Sequence, residues 1–142
     1  MKFDHVAVEV GDIENTLQNL KDATGLEILR EGSRYSTGQR IVMLGDETGI
    51  KIELIESDLT RPTFAHIAFR VDGPASVDLA TDSMLGAGWA VKTLPHDLPH
   101  AKARSALLVD EGGLQVQVIA YSSDSPDVGW SSDGSHMSEG GQ

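Results

Sequence analysis

The chain has 142 residues, of which 22 are acidic and 11 basic, giving a formal net charge of −11, with 39% hydrophobic residues and no cysteine. That length suits one domain or two small halves sharing a core. The acidity argues against nucleic acid and anionic membrane surfaces as partners while leaving a cationic ligand open, and the missing cysteines exclude disulfides and thiolate metal sites.

The chain opens on "MKFDHVAVEV", a charged strand rather than a signal peptide. No apolar run reaches membrane-spanning length, so a cytoplasmic protein is the expectation. Within Phe3–Val10, Val6, Val8 and Val10 alternate with His5, Ala7 and Glu9, the period of a strand with one face towards a core. Asp12 is placed to cap a helix over Ile13–Ala23, in which Ile13, Leu17 and Leu20 share a face. Gly25 follows as the residue that ends it. Three strands are predicted next, over Glu27–Glu31, Gln39–Leu44 and Ile50–Ile55, the last two joined by the turn "GDETG". A second series begins with a strand over Phe64–Val71. The helical stretch "DGPASVDLATDSMLGAG" follows, with Pro74 in its first turn. Strands over Trp89–Thr93, Arg104–Val109 and Leu114–Tyr121 complete the series, and "DEGG" turns the final hairpin. Leu94–Lys102, "LPHDLPHAK", is predicted as a long loop bordering a site.

The two series are one pattern repeated. A shift of 61 residues lays His5, Ala7 and Glu9 on His66, Ala68 and Arg70, and Gly25 on Gly86. Beyond the next loop the shift is 64, laying "IKIELIE" on "LQVQVIA" and Arg40 on Arg104. The fold class is therefore α+β, with two βαβββ modules over about 1–60 and 61–121 forming a paired fold rather than a solenoid. Residues 122–142, rich in Ser, Gly and Asp, read as a flexible tail. Within them "GSHM" has the look of a cloning scar, and Trp130 is free to dock on this or a neighbouring chain.

Each module offers a histidine on its first strand, on the face opposite to the one the helix covers. Each also offers a carboxylate or amide between apolar neighbours on its last strand: Glu53 and Gln117. Related by a pseudo-twofold axis, His5, Glu53, His66 and Gln117 can converge. Two imidazoles, a carboxylate and an amide oxygen suit a divalent first-row metal. The competing view is that both are ordinary strand histidines with hydrogen-bond partners; their recurrence at one position of the repeat favours the metal.

The stretches "DHVAVEVGDIENTLQNLKDATGLEI", "IKIELIE", "AHIAFRVDG" and "VDEGGLQVQVIAY" resemble the signatures of the vicinal oxygen chelate superfamily. That superfamily includes glyoxalase I, methylmalonyl-CoA epimerase, extradiol dioxygenases, and fosfomycin and bleomycin resistance proteins. The resemblance spans residues 1–121 and implies that the paired βαβββ modules form one curved, half-open mixed sheet, a half-open barrel around a metal (Zn, Ni, Co, Mn or Fe) held by His5, Glu53, His66 and Gln117. It also implies a small-molecule substrate and a homodimer. Two departures stand out: Gln117 replaces the usual final glutamate, and "NLKDATG" lacks the aromatic pair common before the glycine.

The chemistry so implied is Lewis-acid catalysis of proton transfer next to a carbonyl, with Glu53 as ligand and base together. Glu9 and Arg70 are expected to line the cavity or to pair with each other across the modules. Arg40 and Arg104 are expected to meet an anionic substrate tail or to remain solvated. His96 and His100 are expected to be loop residues rather than further ligands. Two other readings stay open: a metal-free protein that sequesters an antibiotic or natural product, and a ferrous dioxygenase using two histidines and one carboxylate.

Overall fold

Two strands meet at the centre of the molecule, and everything else is arranged symmetrically about them. The computed structural model describes residues 1–34 and 37–128. In chain order the elements are β1 (Lys2–Val10), α1 (Ile13–Thr24), β2 (Glu27–Ser33), β3 (Arg40–Gly45), β4 (Lys51–Glu56), β5 (Thr63–Arg70), α2 (Pro74–Gly86), β6 (Ala90–Leu98), β7 (Ala103–Val109) and β8 (Gln115–Tyr121). They form one eight-stranded curled sheet in the order β2-β3-β4-β1-β5-β8-β7-β6. The first strand of each module runs parallel to its last, β1 with β4 and β5 with β8, while β1 and β5 pair antiparallel. This is the paired α+β architecture that the repeat predicts.

The helices form where the sequence places their signals. Asp12 accepts the Asn15 backbone N–H at 3.1 Å, and Gly25 closes α1 in the left-handed conformation at φ 74°, which a Cβ would disfavour. Pro74 opens α2. Ile13 and Leu17 of α1 pack with Val10, Leu26, Val42, Leu44 and Leu54 beneath it; Val77 of α2 packs with Ala106, Leu108, Val118 and Ala120. Both helices therefore cover one face of the sheet, and a smaller cluster of Ala7, Ile41, Ile55 and Ala65 occupies the other.

Two predicted boundaries are corrected. The stretch Leu94–Lys102 is not one long loop, because β6 continues to Leu98, with His96 opposite Ser105 and Asp97 opposite Arg104. β6 is an edge strand with register shifts between Val91 and His96, and an edge with bulges tolerates Pro95. The folded body also runs beyond Tyr121. Ser125–Val128 pack on the body through a 3₁₀ turn at Pro126–Val128, with Ser125 and Asp127 buried. Ser and Asp are poor evidence of a flexible tail when their side chains are spent on buried hydrogen bonds. Trp130 and "GSHM" lie outside the described residues.

Candidate metal centre

A β-bulge, in which one strand carries an extra unpaired residue, re-aims the side chains beside it. β1 and β5 each carry one. Between Phe3 and His5 the register shifts at Asp4, and between Ala7 and Val8 it shifts on the partner strand at Ala65. Each bulge residue immediately precedes a histidine. Asp4 and His5 are consequently both buried, as are Ala65 and His66, where strict alternation would send one of each pair outward.

The register then sets two rungs across the sheet, on either side of the Val6–Ile67 pair. Ala7 lies between Glu53 on β4 and His66 on β5, and Ala68 lies between His5 on β1 and Gln117 on β8. Partners in register point to the same face of a sheet. The centre of each rung is thus an alanine of zero exposure, and the four larger polar side chains stand around this low floor. Glu53 Oε1 is 3.9 Å from His5 Nε2 and 3.6 Å from His66 Nε2. Ligand atoms sharing one ion at about 2.1 Å stand roughly 3–4 Å apart, so these separations suit one cation. His5, Glu53 and His66 each offer a ligand atom within 4.8 Å of the others.

The hydrogen bonding of these groups also fits a cation. His5 Nδ1 donates to Asp4 Oδ2 at 2.7 Å, which leaves Nε2 with its lone pair facing Glu53. Gln117 Nε2 donates to Ser105 Oγ at 3.3 Å, leaving its Oε1 available. Among the described residues, the buried side-chain atoms lacking a hydrogen-bond partner are His5 Nε2, both ring nitrogens of His66, and Gln117 Oε1. Buried polar atoms are rarely left in that condition. Here they belong to three of the four residues expected to hold a metal, and the fourth, Glu53, stands among them.

Burial pushes the His66 pKa down to about 4, so its imidazole is neutral near pH 7 and has a lone pair to offer a cation. Burial alone would raise Glu53, but the imidazoles of His5 and His66 and the Arg30 guanidinium hold it below the usual glutamate value. Asp4 is likewise buried yet kept well below the carboxylate range by the His5 hydrogen bond and by Lys51, whose Nζ is 2.9 Å from Oδ1. The Tyr121 hydroxyl donates to Asp4 Oδ2 at 2.6 Å, and burial together with Asp4 pushes its own pKa up.

Glu53, His66 and Gln117 open into a cavity of about 420 Å³. Its walls include Arg30, Arg34 and Lys92, with His96 and His100 on the β6 side, and Glu53 is the single acidic residue among the lining residues described. Arg34 is paired with the neutral Gln39 Oε1 at 3.2 Å. In a chain of net charge −11, the cavity is thus locally cationic, so the overall acidity that left a cationic ligand open does not extend to the cavity walls.

The four expected substrate contacts lie elsewhere. Antiparallel pairing puts Glu9 opposite Thr63 and Arg70 opposite Lys2, at opposite ends of the seam, so they neither pair with each other nor line the cavity. Arg70 Nε instead lies 4.0 Å from Asp4 Oδ1. Arg40 binds Glu14 on α1 and Glu31 on β2. Arg104 binds Asp78 on α2 and Asp97 on β6. Each of these two arginines ties a helix to an edge strand, away from the cavity. Sequence reasoning missed Arg30, which reaches Glu53 Oε2 at 3.2 Å. A register shift between Ile28 and Arg30 turns it inward, and nothing in the local pattern announces that bulge. Lys51 had a legible signal, since it stands two residues before Glu53 on the same strand face.

The sequence model of the Glyoxalase/Bleomycin resistance protein/Dioxygenase superfamily matches residues 2–118. No curated relative matches the chain in sequence. Among solved structures, a variant of the Streptomyces coelicolor methylmalonyl-CoA epimerase, in complex with 2-nitronate-propionyl-CoA, superposes with a TM-score of 0.72 at 20% identity, covering 87% of this chain and 99% of that one. Methylmalonyl-CoA epimerase from Mycobacterium tuberculosis gives 0.69 at 19% identity, covering 85% and 88%. The hypothetical protein BH1468 of Bacillus halodurans C-125 gives 0.70 at 21%, covering 87% and 96%. These structural likenesses establish the fold. With the family match spanning most of the sequence, the chain belongs to the glyoxalase/bleomycin resistance/dioxygenase superfamily, the vicinal oxygen chelate proteins.

Proposed function

We propose that this chain is a divalent-metal-dependent enzyme of glyoxalase I or epimerase type, moving a proton next to the carbonyl of a small chelating molecule. One observation carries this reading: buried His5 Nε2, His66 Nε2 and Gln117 Oε1 have no hydrogen-bond partner, and the two imidazole nitrogens lie 3.9 and 3.6 Å from Glu53 Oε1. His5, Glu53, His66 and Gln117 would hold the ion, and Zn, Ni, Co, Mn or Fe all suit these donors. When bound, the ion supplies Lewis-acid polarisation of the carbonyl. Glu53, the one carboxylate among the described cavity residues, is assigned the proton transfer. Its carboxylate takes the proton from the substrate carbon and returns it to the product carbon. Arg30 holds Oε2 and keeps the acid ionised before the transfer.

Arg34 and Lys92 favour an anionic group on the substrate, and they disfavour sequestration of a cationic antibiotic. The similar epimerase structures in complex with methylmalonyl-CoA or 2-nitronate-propionyl-CoA agree with a small acyl substrate of that charge. A homodimer belongs to the same reading and is checked by sedimentation velocity.

The decisive experiment measures metal content in protein purified without added metal, then solvent deuterium incorporation into 2-oxo and 2-hydroxy carbonyl compounds. The expected result is near-stoichiometric metal, lost in His5→Ala and His66→Ala, and exchange abolished in Glu53→Gln. Metal-free protein that cannot be loaded would reject the proposal, and full exchange in Glu53→Gln would remove the assigned base. A second reading draws on the same trio, because two histidines with one carboxylate also suit a ferrous oxygenase. Oxygen uptake by the iron-loaded protein, without proton exchange, would favour it.

A further inference from the structure

The segment after β8 lies beyond the residues that the family model matches, yet it contacts Arg30 and Lys51, which in turn reach Glu53 and the Asp4 partner of His5. Asp127 is 2% exposed and receives Arg30 through two bonds, Nε to Oδ1 at 2.6 Å and Nη2 to Oδ2 at 3.0 Å. The same guanidinium bonds Glu53 Oε2. The Asp127 backbone carbonyl accepts Lys51 Nζ at 3.0 Å. Lys51 also pairs with Asp4, which in turn orients His5. The turn is pinned in place because Ser125 Oγ donates to the Ala101 carbonyl and accepts the Asp127 N–H at 3.1 Å.

We infer that the Ser125–Val128 turn is a positioning element of the metal centre, with Asp127 setting Glu53 through Arg30 and His5 through Lys51 and Asp4. The inference rests on the metal-site reading above. A bidentate carboxylate fixes the plane of a guanidinium. Asp127 therefore fixes Arg30 so that Glu53 Oε2 meets an N–H while Oε1 is turned to the two imidazoles. Asp127 also neutralises Arg30, which would otherwise compete with a cation for the Glu53 charge. The buried cluster holds three carboxylates (Asp4, Glu53, Asp127) against two cations (Arg30, Lys51), an excess of one negative charge that favours a bound cation. Outer partners of this kind are typically worth about 10–100-fold in metal affinity.

The test uses the full chain and Co²⁺ alone, read by chelator competition and by the visible absorption of the bound ion. In Asp127→Asn, affinity is expected to fall about 10–100-fold and the absorption bands to shift, with cooperative thermal unfolding retained. Asp124→Asn, in the same segment but exposed and paired with Lys102, is expected to change neither. Wild-type affinity and spectrum in Asp127→Asn would overturn the inference, as would an equal loss in Asp124→Asn. Should Asp127→Asn not fold, Asp127→Glu keeps the charge but displaces Arg30; an altered spectrum supports the inference and an unchanged one overturns it. Failure of the wild-type chain itself to bind Co²⁺ would instead reject the metal-site reading, so the two failures are separable.

Discussion

Asp4→Asn is the sharpest single perturbation of this molecule. The substitution preserves shape and removes one charge from a group that is 4% exposed and contacts His5, Lys51 and Tyr121 within 2.9 Å. An amide cannot accept from all three, and Lys51 is left buried with the Asp127 carbonyl and the hydroxyl and ring of Tyr121 in place of an anion. Removing one partner of a buried ion pair costs about 3–5 kcal/mol, and in a domain of this size that is a fall in Tm of roughly 10–20 °C. The pH dependence has a definite sign. The folded-state pKa of Asp4 lies below its ordinary value, so its contribution is present above the unfolded-state pKa near 3.8 and is lost as pH falls towards the folded one. The stability gap between wild type and Asp4→Asn should therefore be constant from pH 7 to about 5 and narrow below about 4. Urea unfolding of the metal-free proteins across that range measures it. A gap under about 1 kcal/mol at pH 7, or one that widens on acidification, would refute this account of Asp4.

Three further outcomes are expected. Ala68→Leu fills the floor between His5 and Gln117 and should abolish Co²⁺ binding while costing about 1–3 kcal/mol in stability, as titration and thermal melts will show. His66 is neutral in the fold down to about pH 4, whereas the unfolded chain takes up its proton near 6.5; the metal-free protein should therefore lose about 3 kcal/mol between pH 7 and 4, seen by urea unfolding and diminished in His66→Gln. Arg40→Gln breaks two exposed ion pairs, which solvent screens, and should leave the melting temperature and the metal affinity essentially unchanged, checked by melts and titration.

The elements that repeat were legible in the sequence. His5 and His66, Glu53 and Gln117 each recur at one position, and strand alternation alone turned them to the face without helices. What stayed hidden depends on departures from alternation. The bulge at Asp4 buries a residue that period two would turn away from His5, and the shift before Arg30 does the same on β2. Arg40 and Arg104 show the converse: they recur faithfully, but their repeated task is to bind a helix and an edge strand. Recurrence marks a shared requirement of both modules, and only the register tells whether that requirement is structural. Asp127 has no counterpart in the repeat, and no periodicity points to it.

The crossing of the two rungs has a consequence for assembly. One rung joins Glu53 of the first half to His66 of the second, and the other joins His5 of the first to Gln117 of the second. A fragment ending before Thr63 would carry one imidazole and one acid, and its complement one imidazole and one amide. Neither fragment could chelate tightly alone, so ion uptake by a mixture of the two would report their reunion, and chelators should weaken that reunion by mass action.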